Sequence, residues 1–121
     1  MSVTSFLIVI LGVFAAQAAS ADEGAELFES CAICHGVEPG EAGIGPHLHG
    51  IVGRAVGIVE GYRYSEGMQD YADSGAVWST AELDGFIANP RAHVKGTKMS
   101  FAGLDDPAER ATLIAYLETL K

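Results

Sequence analysis

Cys31-Ala32-Ile33-Cys34-His35 is the stretch on which the reading of this chain turns. Two thiols three positions apart, near the end of a helix, can add to the two vinyl groups on one edge of a porphyrin. The next residue then sits beneath the ring, where its imidazole can bind iron. C-x-x-C-H therefore reads as a c-type haem attachment site. Three other readings compete for these residues. A thioredoxin-like redox dithiol belongs in a βαβ context, and no segment here alternates as a strand. A structural zinc site wants four ligands, usually several of them Cys, but the chain has only 2 Cys, which leaves His and carboxylates to complete a set. In an oxidising compartment the pair can close a disulfide; the histidine beside it marks the haem site instead.

Upstream of the motif, residues 22–32 read as a helix. Asp22 can cap it, Glu23 and Glu26 suit its positive end, and Gly24 and Phe28, four apart, share one face. Downstream, residues 36–61 form a long Gly-rich loop. A loop of that length in a small domain is normally functional or wrapped around something. A second helix comes after Ser79, which forms a capping box with Glu82; Leu83, Phe86 and Ile87 make its apolar stripe, and Pro90 ends it near Asn89. A third starts at Asp106, with Pro107 in the first helical position and Glu109 completing a capping box. Leu113, Ile114, Tyr116, Leu117 and Leu120 give it a wide apolar face. A weaker helix starts at Ser65 and runs to Ala72. The expected fold is all-α, with three main helices and long loops wrapped around one covalently bound haem.

The sequence has 121 residues, which suggests one domain. Residues 1–21 carry no Asp, Glu, Lys or Arg, and an apolar run from Phe6 to Ala16 leads into small residues. The run is shorter than the roughly 20 residues of a membrane span and fits a secretory signal peptide. Cleavage after Ala18 or Ala21 is expected, the latter preferred, leaving residues 22–121 as the haem domain in the periplasm. The alternative is an uncleaved anchor, since Met1 to Ser5 holds no Lys or Arg. The net charge of −9 argues against nucleic acid, whose phosphates need Lys and Arg, and against an anionic membrane surface. With 15 glycines the chain can bury only a modest core, to which a cofactor would add apolar contact.

From Asp22 to Lys121 the sequence resembles class I cytochrome c, in the branch of mitochondrial cytochrome c and its soluble bacterial relatives. Ordered motifs carry the resemblance: CAICH, GPHLHGIVGR at 45–54, GYRYS at 61–65, a lone Trp78, FIANP at 86–90, GTKMSFAGL at 96–104 and LIAYL at 113–117. It implies one haem c with its iron, attached through Cys31 and Cys34, with His35 and Met99 as axial ligands. By chemistry alone His47, His49, His93 and Met68 compete with Met99, which stands out by lying in a polar loop after Gly96. Met/His ligation raises the potential and leaves no open position for oxygen chemistry. The resemblance also implies that the Pro46 carbonyl accepts the free N–H of His35. Tyr64, Trp78 and Thr97 would hydrogen-bond the haem propionates, and Arg54 would offset their charge. Gly24, Phe28, Leu113 and Tyr116 match the contact between the terminal helices.

The same resemblance implies a monomeric electron carrier, not an enzyme. Its partners would be larger redox proteins: a quinol-oxidising cytochrome complex, an oxidase, a reductase or a dehydrogenase. The alternative is a haem-carrying subunit or dedicated partner of a dehydrogenase. The sequence departs from the family at Phe86, where a tyrosine is usual, and over 65–77, which is a few residues longer than the mitochondrial pattern. Most lysines around the haem edge are missing, with Ser30, Ala92, Asp105 and Asp106 in such places. Residues 22–60 hold seven acids and one Arg, a net of −6; residues 61–121 hold nine acids and six bases, a net of −3. Arg91, Lys95 and Lys98 form a local basic patch before the expected methionine ligand.

Overall fold

A computed structural model describes residues 8–12, 21–41 and 43–121. Of the expected signal peptide, residues 1–7 and 13–20, with Ala18 and its cleavage site, lie outside the described residues; Ile8 to Leu11 are exposed and form neither helix nor strand. The described residues form five helices: α1 (Ala21–Ala32), α2 (Glu66–Asp73), α3 (Thr80–Ala88), α4 (Pro90–His93) and α5 (Pro107–Glu118). Among the described residues there is no strand, only one isolated antiparallel bridge between Ala55 and Val77. No helix among them is long and apolar enough to cross a membrane. The architecture is the expected all-α one.

Local chemistry sets the helix starts. Ser65 caps α2 by accepting from the Met68 N–H, Ser79 caps α3 by accepting from the Glu82 N–H, and Asp106 caps α5 by accepting from the Ala108 N–H. Each bond satisfies a donor that the first helical turn leaves free. Three details differ from expectation. Helix α1 begins at Ala21, so Asp22 lies inside its first turn and acts there as a favourable charge, not as the cap. The Ser79 box is half formed, because the Glu82 carboxylate is engaged by Tyr71 and His93. After Asn89 the chain turns into α4: the Asn89 side chain accepts from the Ala92 N–H, and Pro90, whose missing N–H costs nothing at a first helical position, starts the turn.

The terminal helices α1 and α5 pack against each other, with α3 on α5. The crossing is close at Gly24, where a Cβ would lie 2.6 Å from the Tyr116 Cβ and 3.2 Å from the Thr112 carbonyl oxygen. Phe28 stacks on Tyr116 with ring centroids 5.1 Å apart. Phe28, Leu113, Ile114 and Leu117 join Leu83, Phe86 and Ile87 of α3 in one core, with Ile51, Val56 and Trp78 from the loops. Arg110 fastens α5 to α3 by its Nε to Asp84 at 2.7 Å, while its Nη1 donates to the Leu104 and Asp105 carbonyls. This pairing is half-exposed, so its value lies in placing the 101–106 turn more than in charge. Gly24→Ala drives a methyl into the Tyr116 stem and should cost about 1–3 kcal/mol, the usual penalty of overpacking. The midpoint of denaturant unfolding reads it, and an unchanged midpoint would contradict the close crossing.

Candidate cofactor site

Helix α1 ends in the motif. The Cys34 and His35 amides both donate to the Cys31 carbonyl, at 3.1 and 3.0 Å, so the chain tightens into a turn that carries His35 off the helix. Gly45 then returns, its N–H donating to the Cys34 carbonyl at 2.8 Å. A Cβ at Gly45 would lie 2.5 Å from His35 Cε1 and 2.7 Å from Nδ1, so only a glycine admits the imidazole here. The next residue supplies the bond that orients the ring: His35 Nδ1–H donates to the Pro46 carbonyl at 2.7 Å. That fixes the tautomer and leaves Nε2 with its lone pair. Burial pushes the His35 pKa below its ordinary value; the Pro46 bond opposes the shift, and the Arg54 charge adds to it. The net direction favours the neutral, metal-binding imidazole. Burial likewise raises the Cys31 thiol, and the two cysteines are not joined in a disulfide.

Cys31, Cys34 and His35 open onto a cavity of about 500 Å³ whose walls come from α1, α2, α3, α5 and the loops. Every residue expected at the site lines it: Pro46, Arg54, Tyr64, Trp78, Thr97 and Met99. Of the competing ligands, Met68 also lines it, whereas His47, His49 and His93 do not. His47 and His49 present their carbonyls to Arg54 Nη1 at 2.9 and 3.0 Å. His93 is occupied with Glu82 at 2.7 Å. Phe86 is buried against the cavity and packs on Trp78 with centroids 5.0 Å apart.

The polar groups match the acidic side of a haem. Arg54 is held by two carbonyls through Nη1, while its Nε is buried with no hydrogen-bond partner among the described residues. A buried donor left unpaired costs about 1–3 kcal/mol, which an anionic oxygen would recover. The Tyr64 hydroxyl accepts from the Val59 N–H at 3.1 Å, so its own proton is free for an acceptor. The donor set thus fits a group with one apolar face and carboxylates at an edge. The Thr97 hydroxyl oxygen likewise accepts, from the Met99 N–H at 3.3 Å, which shapes the methionine's turn and leaves the hydroxyl proton for an acceptor.

Several contributors were not legible in the sequence. Tyr62 lines the cavity and meets Tyr64 edge-on at 4.7 Å. Gly45 is needed for the ring, but a glycine does not announce what it lies against. Lys98 is exposed, as the basic patch requires, and its ammonium also donates to the Arg63 carbonyl, which ties the 94–101 loop to the 61–65 turn. Ile33 and Ile44 line the cavity yet are 76% and 77% exposed, so they form an apolar lip beside the cysteines.

Comparison with known proteins shows the family. The family model described as Cytochrome c matches residues 21–121. The chain is similar to a cytochrome c of Trypanosoma brucei brucei, 57% identical over 68% of this chain and 85% of that protein. It is similar to a cytochrome c2 of Rhodopila globiformis, 47% identical over 82% and 92%. Among solved structures it resembles cytochrome cH from Methylobacterium extorquens, with a TM-score of 0.73 and 38% identity over 83% of this chain and 98% of that one. Gly45→Ala tests the geometry of the histidine. The added methyl should displace the imidazole from Pro46 and lower stability by about 1–3 kcal/mol. Denaturant unfolding reads the loss, and wild-type stability would mean the ring has room that the structure denies.

Proposed function

The chain belongs to the cytochrome c family, and from that premise we propose that it is a diffusible single-electron carrier of the periplasm, delivered there by residues 1–21. As a family member it is a single-haem electron carrier and not an enzyme, with one haem c bound covalently together with its iron. When bound, the haem supplies a one-electron ferrous–ferric couple, and the protein tunes it by ligands, hydrogen bonds and burial.

The chain's own residues have distinct tasks in this reading. Cys31 and Cys34 hold the porphyrin edge. His35 gives Nε2 to the iron, and Pro46 keeps the ring from rotating away. Met99 gives its thioether. Arg54, through its unpartnered Nε, and Tyr64, through its free proton, receive the propionates, with Trp78 and Thr97 beside them. The single observation that carries the assignment is the His35 Nδ1–H bond to Pro46, which leaves the other nitrogen for metal at a wall shared with both cysteines. Phe86, where the family's tyrosine is usual, adds bulk and no hydrogen bond. Its neighbours Trp78, Leu83 and Ile87 make that part of the wall apolar.

Two measurements test the ligands. After denaturation and acidified organic extraction, the haem should stay with the polypeptide. The oxidised protein should show the weak long-wavelength sulfur-to-iron band, lost in Met99→Ala and kept in Met68→Ala. Haem in the organic phase, or the reverse pattern between the methionines, defeats the assignment.

The partners in this reading are a quinol-oxidising complex as donor and an oxidase or reductase as acceptor, met by a monomer through transient docking. Arg91 and Lys95 are exposed and stand before the methionine loop, where complementary charge would raise encounter rates. A second reading, a dedicated subunit of a dehydrogenase, is favoured by the apolar lip of Ile33 and Ile44, since exposed apolar surface often marks a stable interface. Arg91→Glu with Lys95→Glu should slow electron exchange with the native partner about tenfold at low salt and flatten its salt dependence. Gel filtration of cell extract should show a monomer. A larger species that Ile33→Lys with Ile44→Lys releases would instead favour the dedicated subunit.

A further inference from the structure

Residues 94–106, which carry Met99, have no regular structure. Up to Met99 the backbone bonds are short-range: the Val94 N–H to the Pro90 carbonyl at 2.9 Å, the Thr97 N–H to the Val94 carbonyl at 3.2 Å, and the Met99 N–H to the Thr97 hydroxyl. Such turns fix a local shape but do not hold it against the rest of the protein. Beyond Met99 the Leu104 N–H anchors the stretch to the Ile87 carbonyl at 2.9 Å, and the exposed Lys98 side chain reaches the Arg63 carbonyl. At the start of the loop the restraint comes from α2. This helix buries no residue of its own, yet its backbone lies directly on the loop at Gly67, where a Cβ would overlap the Lys95 carbonyl oxygen. One turn further along, the Tyr71 hydroxyl donates to the Glu82 carboxylate. That same carboxylate oxygen accepts from His93 Nε2 at 2.7 Å.

The three side chains join α2, α3 and α4 at a single oxygen. The His93 ring is wedged in place: it meets Tyr71 edge-on at 5.8 Å and Phe86 at 6.3 Å, and a Cβ at Gly85 would lie 2.8 Å from its Cε1. Tyr71 is itself braced edge-on against Trp78 at 5.7 Å. His93 is the last residue of α4, so the point held by Glu82 is the point from which the loop departs. Hydrogen bonds to a carboxylate are stronger than neutral ones, and both donors here meet the same oxygen. Glu82 is pulled below its ordinary pKa first by the Tyr71 bond and then by the His93 bond.

We propose that α2 is a clamp on the methionine loop, and that Tyr71, Glu82 and His93 are positioning residues that keep Met99 at the cavity. The proposal rests on Met99 as the iron's thioether ligand for its functional consequence, but not for the clamp itself. Tyr71 and Glu82 do not line the cavity. They act through His93, and Gly67 acts through the Lys95 backbone.

The test uses the haem-loaded, oxidised protein and Tyr71→Phe, which removes the hydroxyl and keeps the ring against Trp78. Amide hydrogen exchange of Val94 and Thr97 should accelerate about tenfold, the loss of one hydrogen bond to a charged group, while Leu113 and Leu117 in α5 exchange as in wild type. In a denaturant series the sulfur-to-iron band should disappear at a lower concentration than in wild type, with the helix signal little moved. Glu82→Gln, which keeps an acceptor for Tyr71, should fall between the two. Unchanged exchange at Val94 and Thr97 overturns the clamp. So does equal acceleration in loop and α5, since that is a general loss of stability. Faster loop exchange with an unmoved band overturns the positioning of Met99. If the band survives in Met99→Ala, the ligand reading fails by itself, and the exchange data still decide the clamp.

Discussion

Everything at this site depends on the hydrogen bond from His35 Nδ1–H to the Pro46 carbonyl. An imidazole on a turn has two torsions and two tautomers, and only one combination directs a lone pair into the cavity. The bond selects the tautomer; Gly45, held by the Cys34 carbonyl, lies against the ring and limits its torsions. The cysteines need no such device, because their position is set by the helix that carries them. The loop after the motif is therefore as much part of the site as the motif. Without Gly45 and Pro46 in register, C-x-x-C-H would be a pair of thiols beside a rotating histidine.

The helices serve that loop by giving it a floor. Helices α1 and α5 approach to backbone distance at Gly24, which brings Leu113 and Leu117 under the cavity from one side while Leu83, Phe86 and Ile87 close it from another. Loop glycines and helix leucines thus form a single apolar wall. Set into this wall is Arg54, whose guanidinium is desolvated and pulled below its ordinary pKa by burial, yet remains charged. Two backbone carbonyls answer one end of it. The other end, Nε, has no answer from protein among the described residues, and this asymmetry gives the cavity an electrostatic direction.

The legible part of the sequence was local. Ser65, Ser79 and Asp106 cap the helices they precede because a cap needs only residues within three positions. The haem motif was legible because its chemistry is contained in five residues, and the family's motifs carried Pro46, Arg54 and Met99 to the cavity. The hidden part was non-local. Nothing near Glu82 says that its carboxylate will meet Tyr71, 11 positions before it, and His93, 11 after, and so abandon the capping box. Nothing near Lys98 says that its exposed ammonium will meet the Arg63 carbonyl, 35 positions away. Helix α4, with four residues, is too short to show a period, and Asn89 and Pro90 read equally well as the end of one helix and the start of another.

The position of Phe86 connects these hidden contacts. In the family that the sequence resembles, a tyrosine in that place offers a hydroxyl near the methionine, so one polar group inside the cavity helps to hold the loop. Phe86 offers none, and its neighbours Trp78, Leu83 and Ile87 make the inner face uniformly apolar. The polar restraint instead lies on the far side of that ring. Phe86 touches His93, and His93 is the residue bound to Glu82. Tyr71, Glu82 and His93 lie nearer solvent, with side-chain exposures of 41% for Glu82 and 25% for His93. There a charged hydrogen-bonded group costs far less desolvation than it would in the cavity. Moving the polar anchor outward separates two demands that a cavity tyrosine would have to meet together. The cavity wall at Phe86 stays apolar, while the loop is held by groups that lie outside the cavity. Helix α2 supplies the other half of this arrangement, because it brings Tyr71 to Glu82 and lays Gly67 on Lys95.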